Sequence, residues 1–365
     1  MKKDKKPFES ALKVQQGIEQ PAQTNEEAIK KLASKKAKMP SFDELFAGIC
    51  SGNRVLLSRA ITLIESSKSD HQEMAQMLVE KCLPHSGKSI RIGITGVPGV
   101  GKSTFIESFG NYLTGIGKKV AVLAIDPSSQ ISKGSILGDK TRMEKLSSNP
   151  DAFIRPSPSA GTLGGVAQKT RESIVLCEAA GFDVIIVETV GVGQSETAAR
   201  SMVDFFLLLQ LPGAGDELQG IKRGIMEMAD AIFINKAEGD YLSKAKIAAA
   251  EIKNALHLMP AHQSGWKIPV GLCAALTGNG IDEVWKTVNE YIDITKKTGY
   301  FEKFRQEQEV NRYHQAITEF LQSDFFASYE VSVLNNELEK KVFVSALSPY
   351  NAAKQIVSKF YESLK

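Results

Sequence analysis

Gly96-Val97-Pro98-Gly99-Val100-Gly101-Lys102-Ser103-Thr104, GVPGVGKST, is the stretch on which the fold turns. It matches the spacing GxxxxGKS, which also arises by chance, so its flanks decide what it means. Before it, Ile90, Ile92 and Ile94 alternate along the chain, the period of a strand. After it, Phe105, Ile106, Phe109, Tyr112 and Leu113 recur at helical spacing and stop at Gly115 and Gly117. Strand, glycine loop and helix together make a phosphate cradle. Glycine lets backbone N–H groups turn onto phosphate oxygens, and the helix N-terminus adds partial positive charge. On this reading Gly96 to Thr104 hold a nucleotide, Lys102 reaches the β- and γ-phosphates, and the Ser103 hydroxyl ligates Mg²⁺.

Working outward, apolar runs at 120–125, 184–188, 205–211, 231–235 and 268–273 read as further buried strands, and helical stretches separate most of them. That alternation predicts an α/β P-loop NTPase with a mainly parallel sheet flanked by helices. The predicted organisation has four parts. Residues 1–40 form a mobile basic tail, 41–86 an N-terminal helical region, 87–295 the P-loop domain and 296–365 a C-terminal helical extension. Within the last part a partly extended stretch is expected around 329–334.

Bulk properties exclude several classes. The chain has 365 residues, is 42% hydrophobic and carries a formal charge of only +3, which makes no case for nucleic acid or an anionic membrane as partner. The apolar run at 205–211 is too short to span a bilayer. Met1 to Ser10 carry charge with no apolar stretch behind them, unlike a secretory signal, and the basic residues are Lys rather than the Arg of a transit peptide. Cys50, Cys82, Cys177 and Cys273 lie far apart, as reduced thiols of a cytoplasmic protein do. His71, His85, His257, His262 and His314 show no metal-ligand spacing.

Three carboxylates fall at the ends of predicted strands or in a loop that reaches them. Asp126 ends the run at 120–125, Asp139 lies in Gly138-Asp139-Lys140-Thr141-Arg142, and Glu188 ends the run at 184–188. Mg²⁺ prefers hard oxygen ligands, so these join Ser103 as metal candidates, some acting through water. Asn235-Lys236-Ala237-Glu238 resembles NKxD, the guanine-reading segment of GTPases. There an acid accepts from the ring N–H and exocyclic amine of guanine, a donor pair that adenine lacks. Glu238 stands one methylene further out than Asp, and guanine preference is expected to survive. The second purine contact falls on Ala274-Ala275-Leu276, with a backbone N–H aimed at guanine O6. The polar, Gly-rich stretch 212–224 follows a buried run and reads as a nucleotide-sensing loop.

With these residues assembled, the chain resembles the methylmalonyl-CoA mutase-associated GTPases, the MeaB/ArgK-type P-loop G proteins. The likeness runs from about residue 41 to the C-terminus. It rests on GVPGVGKST, Asp126-Pro127-Ser128-Ser129, Gly134 through Met143, Arg155-Pro156-Ser157 and Gly161-Thr162-Leu163-Gly164-Gly165. It continues with Glu188-Thr189-Val190-Gly191-Val192-Gly193-Gln194-Ser195-Glu196 and Ser348-Pro349-Tyr350-Asn351-Ala352-Ala353. The resemblance implies a homodimeric GTPase, binding GTP/GDP and Mg²⁺, whose C-terminal extension dimerises. It implies a chaperone that gates cofactor loading and protects an adenosylcobalamin-dependent acyl-CoA mutase, methylmalonyl-CoA mutase or a close relative. Lys102, Asp139, Glu188 and Gln194 are then the catalytic set. Segments near Asp139, from Glu188 to Glu196 and from Gly215 to Gly224 are the switches. Glu238 and Ala274, where the family pattern has Asp and Ser, bear only on base selectivity. A P-loop kinase of the type once suggested for amino-acid transport proteins and a metal-insertion GTPase are the alternatives. The second predicts a His-rich tract or a Cys pair, and the chain has neither.

Overall fold

Near-continuous runs of Ile, Val, Leu and Phe are buried only where a sheet is covered on both faces, and the five inner strands of a seven-stranded sheet here meet that condition. The structure, a computed structural model, describes residues 39–125, 143–156, 163–189, 194–213, 222–260 and 263–363. Helices α1 (Phe42–Cys50), α2 (Arg54–Glu65) and α3 (Ser69–Cys82) lead in. The side-chain oxygen of Asn53 caps α2 by accepting from the N–H groups of Val55 and Leu56. Strand β1 (Ile90–Gly96) feeds α4 (Lys102–Gly115), then β2 (Val120–Ile125), α5 (Glu144–Ser148) and β3 (Ala152–Arg155). Next come α6 (Leu163–Ala179), β4 (Val184–Thr189), α7 (Gln194–Arg200), β5 (Phe205–Gln210) and α8 (Lys222–Met228). They are followed by β6 (Ala231–Ile234), α9 (Tyr241–Leu256), β7 (Val270–Leu272) and α10 (Ile281–Lys297). Helices α11 (Tyr300–Ala327), α12 (Tyr329–Phe343) and α13 (Pro349–Ser363) close the chain.

The strands pair in parallel in the order β3-β2-β4-β1-β5-β6-β7, so β1 sits at the centre. Alternation sorts the two faces. Ile185, Val187 and Phe206 face α1, α2, α3, α6 and α7, while Ile92, Ile94, Phe205 and Leu207 face α4 and α10. A smaller core joins Leu208, Ile232 and Ile234 to α8 and α9.

At the opposite edge from the glycine loop, register is locked by carboxylates. Asp183, Asp204 and Asp230 each precede a strand, and each accepts a backbone N–H from a neighbouring segment: Lys119, Arg91 and Phe206 respectively, all at 2.8 Å. Arg305 of α11 closes on Asp204 with two hydrogen bonds of 2.7 Å and also donates to the carbonyls of Gly87 and Ser89. Gln308 donates to the Val203 carbonyl at 2.8 Å, so α11 is riveted under the sheet. Glu178 is held in a similar way. Burial opposes its charge, but Arg91, Ser89 and the Gly87 N–H outweigh burial and hold its carboxyl below the usual range. Because Asp204 is buried, Arg305→Ala removes the cation that pairs with it and is expected to cost about 3–5 kcal/mol. Urea denaturation reads this directly, and a loss under about 1 kcal/mol would show that Asp204 finds water instead.

Two expectations need correction. Strand β3 was not anticipated from the sequence, because Ala152-Phe153-Ile154 is too short to show a period and the edge position asks for little. Residues 329–334 are helical, not extended. Tyr329, Val331 and Val333 alternate like a strand, but Val331, Leu334, Leu338 and Val342 form the face that packs with Ala352 and Ile356 of α13. Tertiary burial at helical spacing overrides β-propensity. The expected tail at 1–40 lies almost wholly outside the described residues.

Candidate functional site

Parallel strands share a C-terminal edge, so the strand order brings the ends of β1, β4, β5, β6 and β7 together. The glycine loop leaves β1 there. Gly96 has φ +154° and a Cβ on it would lie 2.5 Å from the Leu209 carbonyl oxygen; Gly101 has φ +93° and a Cβ would meet Asn235 Nδ2 at 3.1 Å. Both positions therefore need glycine. Val100 is fully buried and pins the loop to the core, while Pro98 and Gly99 stay exposed.

Lys102 and Ser103 open α4, with Thr104 after them. Lys102 Nζ donates to the Gly96 carbonyl at 2.8 Å, folding the ammonium back over the loop. Burial lowers the Lys102 pKa, and Glu188 and then Glu196 oppose that fall. Ser103 Oγ donates to Glu188 Oε1 at 3.3 Å, so a hydroxyl and a carboxylate present hard oxygens at one spot. That donor set fits Mg²⁺, which takes one or two protein ligands and keeps several waters. Asp126, Asp139 and the side chain of Gln194 lie outside what the structure describes; Gln194 itself is the first residue of α7.

The Asn235 segment is built into the loop from the other side. Asn235 Nδ2 donates to the Val100 carbonyl at 2.9 Å, and Lys236 Nζ donates to the Gly99 carbonyl at 2.9 Å. Lys236 adopts φ +60°, a conformation that costs a side-chain-bearing residue roughly 1 kcal/mol and persists where contacts over-determine it. Asn235 Oδ1 accepts from the Ala275 N–H at 3.1 Å, and the Cys273 thiol lies 3.7 Å away. Burial, with Glu238 nearby, pushes the Cys273 pKa up to about 12, so sulfur stays protonated and able to donate. The Ala274 N–H is taken by the Asn279 carbonyl at 2.9 Å, which leaves Ala275 as the backbone donor of that turn nearest Asn235. Leu276 projects outward and is 79% exposed.

Glu238 Oε2 is buried without a hydrogen-bond donor among the described residues. Such an oxygen is costly unless an N–H reaches it. A ligand edge carrying two adjacent N–H donors, as guanine does, meets that requirement, and adenine does not. The sequence found Asn235, Lys236 and Glu238 but missed Thr95, Thr189 and Cys273, polar residues at strand ends where an apolar residue would also fit. Glu196, at the end of the expected switch segment 188–196, is fully buried.

A nucleotide loop, a hydroxyl–carboxylate pair and a base-reading clamp on one sheet edge describe a P-loop NTPase, and comparison with known proteins sharpens this. The family described as Methylmalonyl Co-A mutase-associated GTPase MeaB matches residues 57–330. The chain belongs to this family. It is 48% identical to the probable GTPase Rv1496 of Mycobacterium tuberculosis over 86% of this chain and 94% of that one. It is 44% identical to the mouse methylmalonic aciduria type A homolog, mitochondrial, over 87% of this chain and 79% of that one. A solved structure described as LAO/AO transport system kinase is 38% identical with TM-score 0.70, covering 88% of this chain and 97% of that chain. This MeaB-family protein is a P-loop GTPase whose substrate is a guanine nucleotide.

Proposed function

We propose that this MeaB-family GTPase is a cytoplasmic, homodimeric chaperone of an adenosylcobalamin-dependent acyl-CoA mutase, methylmalonyl-CoA mutase or a close relative. It gates loading of the mutase cofactor and protects the mutase from inactivation. The observation that carries the reading is the family match over residues 57–330, whose description names the mutase association.

Within that reading Gly96 to Thr104 wrap the phosphates, and Lys102 moves from the Gly96 carbonyl to the β- and γ-phosphates. Ser103 and Glu188, with Asp126 and Asp139, hold Mg²⁺, which when bound neutralises charge on the phosphate oxygens. Gln194 and Glu188 order the attacking water. Asn235, Lys236, Glu238 and the 274–276 turn read the base. Loss of the γ-phosphate removes contacts to the segments near Asp139, 188–196 and 215–224. The partner responds only to the difference between its contacts with the two states.

Dimerisation is supported by an apolar stripe on α11 that is exposed among the described residues. Val310, Tyr313, Ile317, Phe320 and Leu321 are exposed at helical spacing, which is costly on a lone helix face. Phe320→Glu is expected to convert the dimer to monomer in sedimentation while leaving nucleotide affinity unchanged. A monomeric parent chain would remove the dimer from this reading.

Capture of partners by the protein loaded with a non-hydrolysable GTP analogue and then with GDP tests the chaperone role. Enrichment of a cobalamin-dependent mutase, with the two states differing, is the expected result; no mutase in either state contradicts it. A kinase is the second reading, favoured by the name of the solved structure at 38% identity. Transfer of labelled γ-phosphate to a protein would support it over the chaperone.

A further inference from the structure

Four buried polar side chains meet where β1 and β4 end and α7 begins, Thr95 and Thr189 from the strands and Ser195 and Glu196 from the first turn of the helix, where packing alone would be served by apolar ones. Thr95, Thr189, Ser195 and Glu196 are each at most 1% exposed. Thr189 Oγ1 donates to Thr95 Oγ1 at 2.8 Å, Thr95 Oγ1 donates to Glu196 Oε1 at 3.4 Å, and Ser195 Oγ donates to Glu196 Oε2 at 3.1 Å. A buried carboxylate held by neutral hydroxyls is poor for stability, and an apolar residue of similar volume is often better. The charge therefore calls for a use.

We infer that Glu196 is a positioning residue for GTP hydrolysis, acting through Thr95 and Thr189 on Lys102 and Glu188. The hydroxyls donate in a single direction, from Thr189 to Thr95 to the Glu196 carboxyl. Thr95 directly precedes Gly96, whose carbonyl receives Lys102 Nζ at 2.8 Å. Thr189 directly follows Glu188, whose Oε1 receives Ser103 Oγ at 3.3 Å. One carboxylate thus sets side-chain direction next to both halves of the phosphate site. The inference rests on the roles given above to Lys102 and Glu188.

Glu196→Gln keeps the size of the side chain, removes its charge and lets the amide donate as well as accept, so the chain loses its direction. Small misplacements at a reacting centre cost up to about 100-fold, and kcat is expected to fall about 10- to 100-fold. KM for GTP and affinity for GDP should stay within about threefold, since ground-state binding is left intact. Thr95→Val removes the middle hydroxyl at nearly constant volume and should give the same split. An unchanged kcat in E196Q overturns the inference. So does a loss of GDP affinity equal to the loss in kcat, which would mark a merely structural residue. Should E196Q fail to fold, T95V decides by the same two criteria. Lys102→Ala keeps the levels apart: if it hydrolyses GTP at the parent rate, the assignment of the phosphate site fails, whatever E196Q does.

Discussion

Lys102→Ala is expected to lower kcat for GTP hydrolysis by about 10²- to 10³-fold, the scale seen when one preorganised group facing developing charge is removed. The size follows from how the lysine is held. Its Nζ is already drawn back over the loop onto the Gly96 carbonyl, so little reorganisation separates it from a phosphate oxygen in the same cradle. Burial lowers its pKa, with Glu188 and then Glu196 opposing but not cancelling that fall, so the ammonium acts in a poorly solvated setting where a charge counts for more than in water. Alanine is a good helix former at the start of α4, so the variant should melt close to the parent. Single-turnover hydrolysis at saturating GTP, with a melting curve alongside, checks both statements. A rate within tenfold of the parent would remove Lys102 from the phosphate site.

The glycine loop was legible because its demand is local: a strand, three glycines and a helix must be neighbours in sequence, and each leaves its own mark. The parallel sheet was legible for a similar reason, since strands covered on both faces read as near-continuous apolar runs. Arg305 was not legible. It lies about 100 residues from Asp204 and more than 200 from Gly87, and nothing near it in sequence signals a buried partner. Thr95, Thr189 and Glu196 were hidden in another way. A single threonine at the end of an apolar strand looks like packing until the fold sets a second threonine and a carboxylate beside it. The alternation of Tyr329, Val331 and Val333 misled outright, because a short stretch can satisfy two periods and only the partner helix chooses between them. Asn235 illustrates the middle case. Its type was readable, but its hold on the glycine loop through the Val100 carbonyl depends on β6 lying two strands from β1.

Glu238→Gln is expected to turn the preference of the site from guanosine toward xanthosine triphosphate, and Glu238→Ala to erase most discrimination between GTP and ATP. Glu238 Oε2 is buried and receives no donor among the described residues, while the Asn235 oxygen beside it already accepts from Ala275 and its amide donates to Val100. The carboxylate is therefore the group of the clamp with acceptor capacity to offer a base. Guanine brings a ring N–H and an exocyclic amine, and hydrogen bonds to a charged group contribute about 1.5–3 kcal/mol each. Removing both in E238A should lower the GTP-to-ATP affinity ratio by about 10²-fold or more. Xanthine replaces the exocyclic amine by a carbonyl. A carboxylate repels that oxygen, whereas the Gln amide accepts from the ring N–H with one arm and donates to the carbonyl with the other. The extra methylene of Glu relative to Asp moves the carboxylate outward without changing this complementarity, so Glu238→Asp should keep guanine preferred. Competition binding of GTP, ATP and XTP to the three variants measures all of it. If E238Q retains the parental ratio of GTP to XTP, the base is read elsewhere, and the buried oxygen of Glu238 serves the packing of the turn rather than the nucleotide.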